Sequence, residues 1–147
     1  MKTELWRNLI EKVKQQGWKQ PDWRHNEPLP LVSLEDFFIG NDGQASIGCN
    51  LIKHPGIDFF FDTLKQIRAK PNVQDVLIEI NDIEEQDETI WPFSDTVYVL
   101  ADAEQKDVKL WVKSLRSDEV SESNIDERTV AAPKLRPGVK VFVVWWD

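Results

Sequence analysis

The sequence predicts an α+β domain of two layers, and two observations carry that expectation. Apolar residues recur at helical spacing in two well-separated stretches, and β-branched segments precede and follow each of them. The chain's 147 residues are 41% hydrophobic and 30% charged, enough apolar content for one core and too much for a disordered chain. The expectation is a single domain over 1–147, with an N-terminal helix and connector in 1–40 and the core in 45–146.

The elements follow in order. Thr3 can cap a helix running to Gln16, because Leu5, Leu9 and Val13 lie on one face and Gly17 follows as a stop. From Trp18 to Pro30 the chain carries Pro21, Pro28 and Pro30, which predicts an extended connector pinned by Trp18 and Trp23. Leu31–Ile39 supports two readings. Ser33-Leu-Glu-Asp36 has the form of a capping box, while Leu31–Leu34 fits a short strand. Gly40-Asn-Asp-Gly43 is a turn.

The pattern then becomes regular. Ala45–Leu51 is a strand candidate. Pro55 suits the first turn of a helix whose stripe is Ile57, Phe60, Phe61, Leu64 and Ile67, and Lys70-Pro71-Asn72 ends it. Val76–Ile80 and Thr96–Leu100 are strands by composition, joined by the acidic stretch Asn81–Asp95. Asp102 with Gln105 forms a second capping box, followed by Val108, Trp111, Val112 and Leu115 on one helical face. Ser117–Pro137 reads as a polar loop with one short helical turn at most. Val139–Trp146 is the strongest strand of all. Residues 45–146 thus read β-α-β-β-α-β, the order of a ferredoxin-like βαββαβ sandwich, with an extra N-terminal helix and a Pro/Trp-rich connector in front.

Both faces of the predicted sheet are apolar. In the last strand Val141, Val143 and Trp145 oppose Phe142, Val144 and Trp146. A two-layer fold covers one face only, so the other needs a cover of its own. The N-terminal helix and its connector are the expected cover, since they are tethered. A second copy of the chain, making a homodimer, and a foreign partner are the alternatives.

Charge narrows the partners. A net charge of −8 repels the phosphates of nucleic acids and anionic membranes; it suits a basic protein partner, or it serves only to keep the chain in solution, the commoner role of such a charge. Cys49 is the sole cysteine, which fits a reducing compartment. The opening Met-Lys-Thr-Glu-Leu-Trp acquires Glu4, Arg7 and Glu11 without an apolar stretch of signal-peptide length, and no apolar run of ~18 residues occurs. The expected location is the cytoplasm.

No complete catalytic or metal-binding set is legible, and no cofactor is expected. His25 and His54 are far apart, and neither belongs to a His-x-x-x-His or His-x-His pattern. Glycine-rich phosphate loops and nucleophile elbows are missing. Cys49 and His54 are close enough in sequence for a thiolate–imidazole pair, although Cys49 falls in a strand-like segment. The most unusual stretch is Asn81–Asp95. There Asp82, Glu84, Glu85, Asp87 and Glu88 precede Trp91 and Phe93. Acids around aromatic anchors suit a docking site for a basic surface; the alternative is that Trp91 and Phe93 fold back on the core and the acids simply face water.

The segments Leu31–Asn41, Ser46-Ile-Gly-Cys-Asn-Leu51, His54-Pro-Gly56, Val73-Gln-Asp-Val76, Trp91-Pro-Phe-Ser-Asp95 and Trp145-Trp-Asp147 resemble a family of small, acidic, uncharacterised bacterial proteins. The resemblance covers about two-thirds of the chain and leaves out the first helix and residues 117–137. It implies no catalytic residues. In size and acidity the chain is also similar to bacterial immunity proteins, which neutralise a toxin by binding it. The functional expectation is a non-enzymatic protein-binding module. The alternatives are a small enzyme with a Cys49/His54/carboxylate pocket and a homo-oligomeric structural or regulatory domain.

Overall fold

The computed structural model describes residues 2–18 and 28–147. Most of the expected connector, with Pro21, Trp23 and His25, lies outside the described residues. The elements are α1 (Lys2–Gln15), β1 (Leu31–Ser33), α2 (Leu34–Phe38), α3 (Ile57–Arg68), β2 (Val73–Glu79), β3 (Thr96–Ala101), α4 (Gln105–Trp111), β4 (Glu119–Ser123) and β5 (Lys140–Trp145). The strands form one antiparallel sheet in the order β1-β2-β3-β5-β4.

The register explains the main core. Val32, Ile78, Val97, Val144 and Val120 stand in one cross-strand row through all five strands, and each is buried. Five β-branched side chains side by side fill a pleated face efficiently. Against that face pack Trp6, Leu9, Ile10 and Val13 of α1, Phe37 of α2, Phe60, Leu64 and Ile67 of α3, and Val108 of α4. All four helices therefore lie on the same side. β3 and β4 run parallel with β5 antiparallel between them, so α4 crosses over within a split β-α-β unit.

Both readings of Leu31–Ile39 are realised in succession. Leu31–Ser33 pairs with β2, and the Ser33 hydroxyl then accepts the Asp36 N–H at 3.0 Å as the cap of α2. The second capping box lies two residues beyond the expected one, where the Asp107 carboxylate accepts the Glu104 N–H at 3.0 Å.

Three expectations need correction. Ala45–Leu51 is not a strand: Gln44–Ser46 is one 3-10 turn, and Ile47 makes only an isolated bridge to Ser94, so the expected ferredoxin-like βαββαβ order over 45–146 gives way to a five-stranded sheet that begins with Leu31–Ser33. Gly48 there adopts a φ of +63°, and a Cβ on it would lie 3.0 Å from the Phe60 ring, so the chain bends sharply where a strand would continue. Residues 117–137 are not simply a loop, because Glu119–Ser123 forms the edge strand β4. Only Val120 of that strand is apolar. Pairing with β5 makes the strand, and no local propensity announces it.

The third correction concerns the second sheet face. α1 packs on the helix side and does not cover it. Leu31, Leu77, Leu100 and Val141 form a separate buried cluster there, joined by Tyr98, Ile125 and Val139. The cover is the segment after β4, which crosses the face as a strap. Gln74 ties the strap down, its amide donating to Lys134 O at 2.9 Å and accepting Arg136 N–H at 2.8 Å. Replacing Leu100, which has 0% exposure, with Ala leaves a cavity beneath the strap. Urea unfolding should show a loss of about 2–5 kcal/mol. Val130→Ala, on the exposed top of the strap, should stay within about 0.5 kcal/mol of wild type.

Candidate functional site

Residues 81–95 extend the β2–β3 hairpin. Asn81 N–H and Asp82 N–H both donate to Phe93 O, and Phe93 N–H returns to Asp82 O at 2.8 Å. Asn81 Oδ1 also accepts the Asp95 N–H at 2.9 Å, closing the loop at its base. Two tryptophans then fasten it to the helices. The Trp91 indole N–H donates to Phe37 O at 2.8 Å, and the Trp6 indole N–H donates to Ile90 O at 2.8 Å. Two ion pairs to α1 complete the attachment, Glu88 with Arg7 at 2.8 Å and Glu85 with Lys14 at 3.2 Å. A strand-to-strand connection of this length is held as a rigid shelf.

The sequence-predicted residues divide accordingly. Trp91 is 5% exposed, so it is a core anchor and not a protruding one. Phe93 is half-buried in the hairpin extension. Glu85 and Glu88 face cations of the same chain. Asp87 turns inward on its own loop, where the Thr89 hydroxyl and N–H hold its carboxyl below the usual range. Asp82 and Glu84 are exposed and accept only the backbone N–H of Ile83 and Gln86. Together with Ile83, Ile90, Trp91 and Phe93 they line an open depression of about 290 Å³. Its lining mixes apolar side chains with two carboxylates, and no cation of this chain is paired to those carboxylates among the described residues.

Cys49 and His54 make no catalytic pair. The His54 Nδ1 accepts the Gly56 N–H at 2.9 Å, and Nε2 lies 2.7 Å from Ile47 O, which it meets as a donor. Both ring nitrogens are thus used by backbone, and none is left for the exposed Cys49 thiol. His54 instead fastens the bend at Gly48, with its ring 5.2 Å from that of Phe60. Among the described residues, no three His, Cys, Asp or Glu side chains are grouped to hold a metal ion, and no helix is long and apolar enough to cross a membrane.

One polar group escaped the sequence reading. Glu79 lies on the strap side of β2, where its carboxylate accepts from the Tyr98 hydroxyl at 3.0 Å and from Asn81 Nδ2 at 3.1 Å. Burial pushes its carboxyl above the ordinary value of 4.5, and these hydrogen bonds oppose the shift. Burial also pushes the Tyr98 hydroxyl up, and the neighbouring Glu79 carboxylate adds to the effect. A lone acid within Val76–Ile80 was the available signal, but nothing local pairs it with Tyr98.

A profile described as the uncharacterized protein YfbO family matches residues 5–144. The chain belongs to this family. The match runs through α1 and through residues 117–137 as well as the core. The Escherichia coli (strain K12) protein described as uncharacterized protein YfbO is 35% identical over 121 residues, covering 82% of this chain and 84% of that protein. No solved structure matches the chain.

Two outcomes follow from this geometry. Trp91→Phe removes the indole N–H donated to Phe37 O and leaves a void where the second ring was, so it should cost at least about 1–3 kcal/mol in urea unfolding. For Glu79 the folded chain holds a proton that the unfolded chain releases near 4.5. As pH rises from there, wild-type stability should fall relative to Glu79→Gln, then level off once folded Glu79 is ionised. Unfolding free energies of both proteins at matched pH values provide the check.

Proposed function

We propose that this chain is a non-enzymatic protein-binding module that docks a basic partner on the shelf formed by residues 81–95, the mode of action of an immunity protein facing a cationic toxin. The depression lined by Asp82, Glu84, Ile90, Trp91 and Phe93 is the observation that carries this reading. Exposed Ile90 and half-buried Phe93 beside two carboxylates take up a lysine or arginine side chain, the apolar groups packing its methylenes and the carboxylates pairing its charged end. The two tryptophan hydrogen bonds hold the shelf in place before the partner arrives, which lowers the ordering cost of association. The −8 net charge speeds encounter with a cationic surface.

Trp91 thus follows the alternative in which it folds back on the core, and not the one in which it protrudes as an anchor. Trp91 receives a partner's side chain and does not reach out to it. Glu85 and Glu88, already paired with α1, brace the shelf. The homodimer alternative drew its support from an uncovered sheet face, and the strap now covers that face.

Asp82→Lys/Glu84→Lys should weaken the complex with a basic partner at least about tenfold, with the same melting temperature as wild type. Affinity should also fall steeply between about 50 and about 200 mM salt. A stoichiometric partner whose affinity ignores both changes would refute the assignment. Isothermal titration of that partner, first isolated by affinity capture from the native host, makes the measurement.

A further inference from the structure

The acidic character of this chain is not uniform. α4 and the turn after it bury Val108, Val112 and Leu115 against the sheet. The opposite, outward side carries Lys106, Lys109, Leu110 and Lys113, all exposed. Positions 106, 109 and 110 share a helical face, and the 3-10 turn Lys113–Leu115 prolongs it. Arg116 stands exposed at the end of that turn, in a left-handed conformation with φ +53°. Lys70 lies 5.1 Å over the Trp111 ring at the flank.

Many cations elsewhere are used internally, although Lys53, Lys134 and Arg136 are isolated exceptions with no ion pair among the described residues. Ion pairs among the described residues draw on α1, α3, the strap and β5, and none involves Lys106, Lys109, Lys113 or Arg116. The nearby carboxylates are also committed: Asp107 accepts the Glu104 N–H, and Glu104 faces Lys140 at 3.6 Å. In the middle of this cationic stripe Leu110 is 69% exposed.

We propose that the outward face of α4, Lys106-Lys109-Leu110-Lys113, is a second docking surface, one that takes an acidic segment of another protein in which carboxylates flank an apolar residue. The occupant follows from the chemistry. Three ammonium groups span about 10 Å along the helix at 1.5 Å rise per residue, matching two or three acidic side chains on a short segment. Leu110 supplies the apolar centre that protein–protein contacts place inside a charged rim. A nucleic-acid backbone has no use for that leucine, and its long-range field is repelled by the −8 chain. An anionic membrane is disfavoured as well, since one short helix offers a single exposed aliphatic side chain to the bilayer. A second copy docking its own acidic shelf here would make a head-to-tail contact that runs on into open assemblies. A stripe of this size suits a transient contact.

Fluorescence anisotropy tests this on the full chain. The probes are a labelled peptide of repeating glutamate-glutamate-leucine, a labelled single-stranded oligodeoxynucleotide and phosphatidylserine-containing vesicles. The acidic peptide should bind, weaken at least about tenfold in Lys106→Glu/Lys109→Glu/Lys113→Glu, and weaken several-fold in Leu110→Ser. It should bind Asp82→Lys/Glu84→Lys no more weakly than wild type, which separates this face from the shelf. Matching circular dichroism melts confirm that the variants are folded. The proposal is overturned by no peptide binding, by equal binding to the charge-reversed variant, by indifference to Leu110→Ser, or by tighter binding of the oligonucleotide or vesicles. Concentration-dependent self-association abolished by the same lysine substitutions would likewise overturn it in favour of a second copy.

Discussion

The structure depends on how two irregular segments, 39–56 and 80–95, satisfy their backbone groups where they close the end of the core. Ser94 is fully buried at their junction. Its N–H donates to Ser46 O at 2.7 Å, and its hydroxyl donates to Thr96 O and accepts Thr96 N–H. The Asn41 amide donates to the Ser46 hydroxyl at 2.9 Å, and the Trp91 indole reaches Phe37 O on the other side. Buried backbone without such partners would cost more than the local packing returns. Gly40 fits this region for a steric reason: its φ is +87°, and a Cβ on it would lie 2.7 Å from the Leu5 side chain, where α1 approaches.

The sheet follows from this closure. One face is filled by four helices and the other by a strap, so the strongly apolar strand β5 is buried on both sides over much of its length. Side-chain amides occupy groups on both edge strands. Gln16 accepts from Leu31 N–H and donates to Leu31 O on β1, and Gln105 donates to Val120 O on β4 at 2.7 Å. An edge strand whose polar groups are already engaged is a poor template for a further strand.

The shelf and the outward face of α4 have opposite polarity. The net charge describes the shelf, whose rim carboxylates meet no cation among the described residues. It hides α4, whose lysines likewise meet no carboxylate among them. Contacts within the chain consume charge elsewhere, as where Arg68 bonds Glu35 through both carboxylate oxygens and holds its carboxyl below the usual range. What each surface offers a partner is the residue of charge left after folding.

Sequence alone determined the elements whose burial is periodic. The α3 stripe, the strands around Val76, Val97 and Val144, and the acidic segment between two of them are all legible, because a helix or a half-buried strand writes its period into the chain. Tertiary structure decided everything that rests on pairing across distance. β4 exists because β5 offers it an edge, and Ala45–Leu51 bends at Gly48, whose left-handed conformation and close approach to the Phe60 ring suit a glycine. Trp91 turns inward because Phe37 O requires a donor, and Glu79 is half-buried because Tyr98 faces it from the next strand. Local propensity sees each of these residues alone, whereas their energies are set by partners far away in the chain.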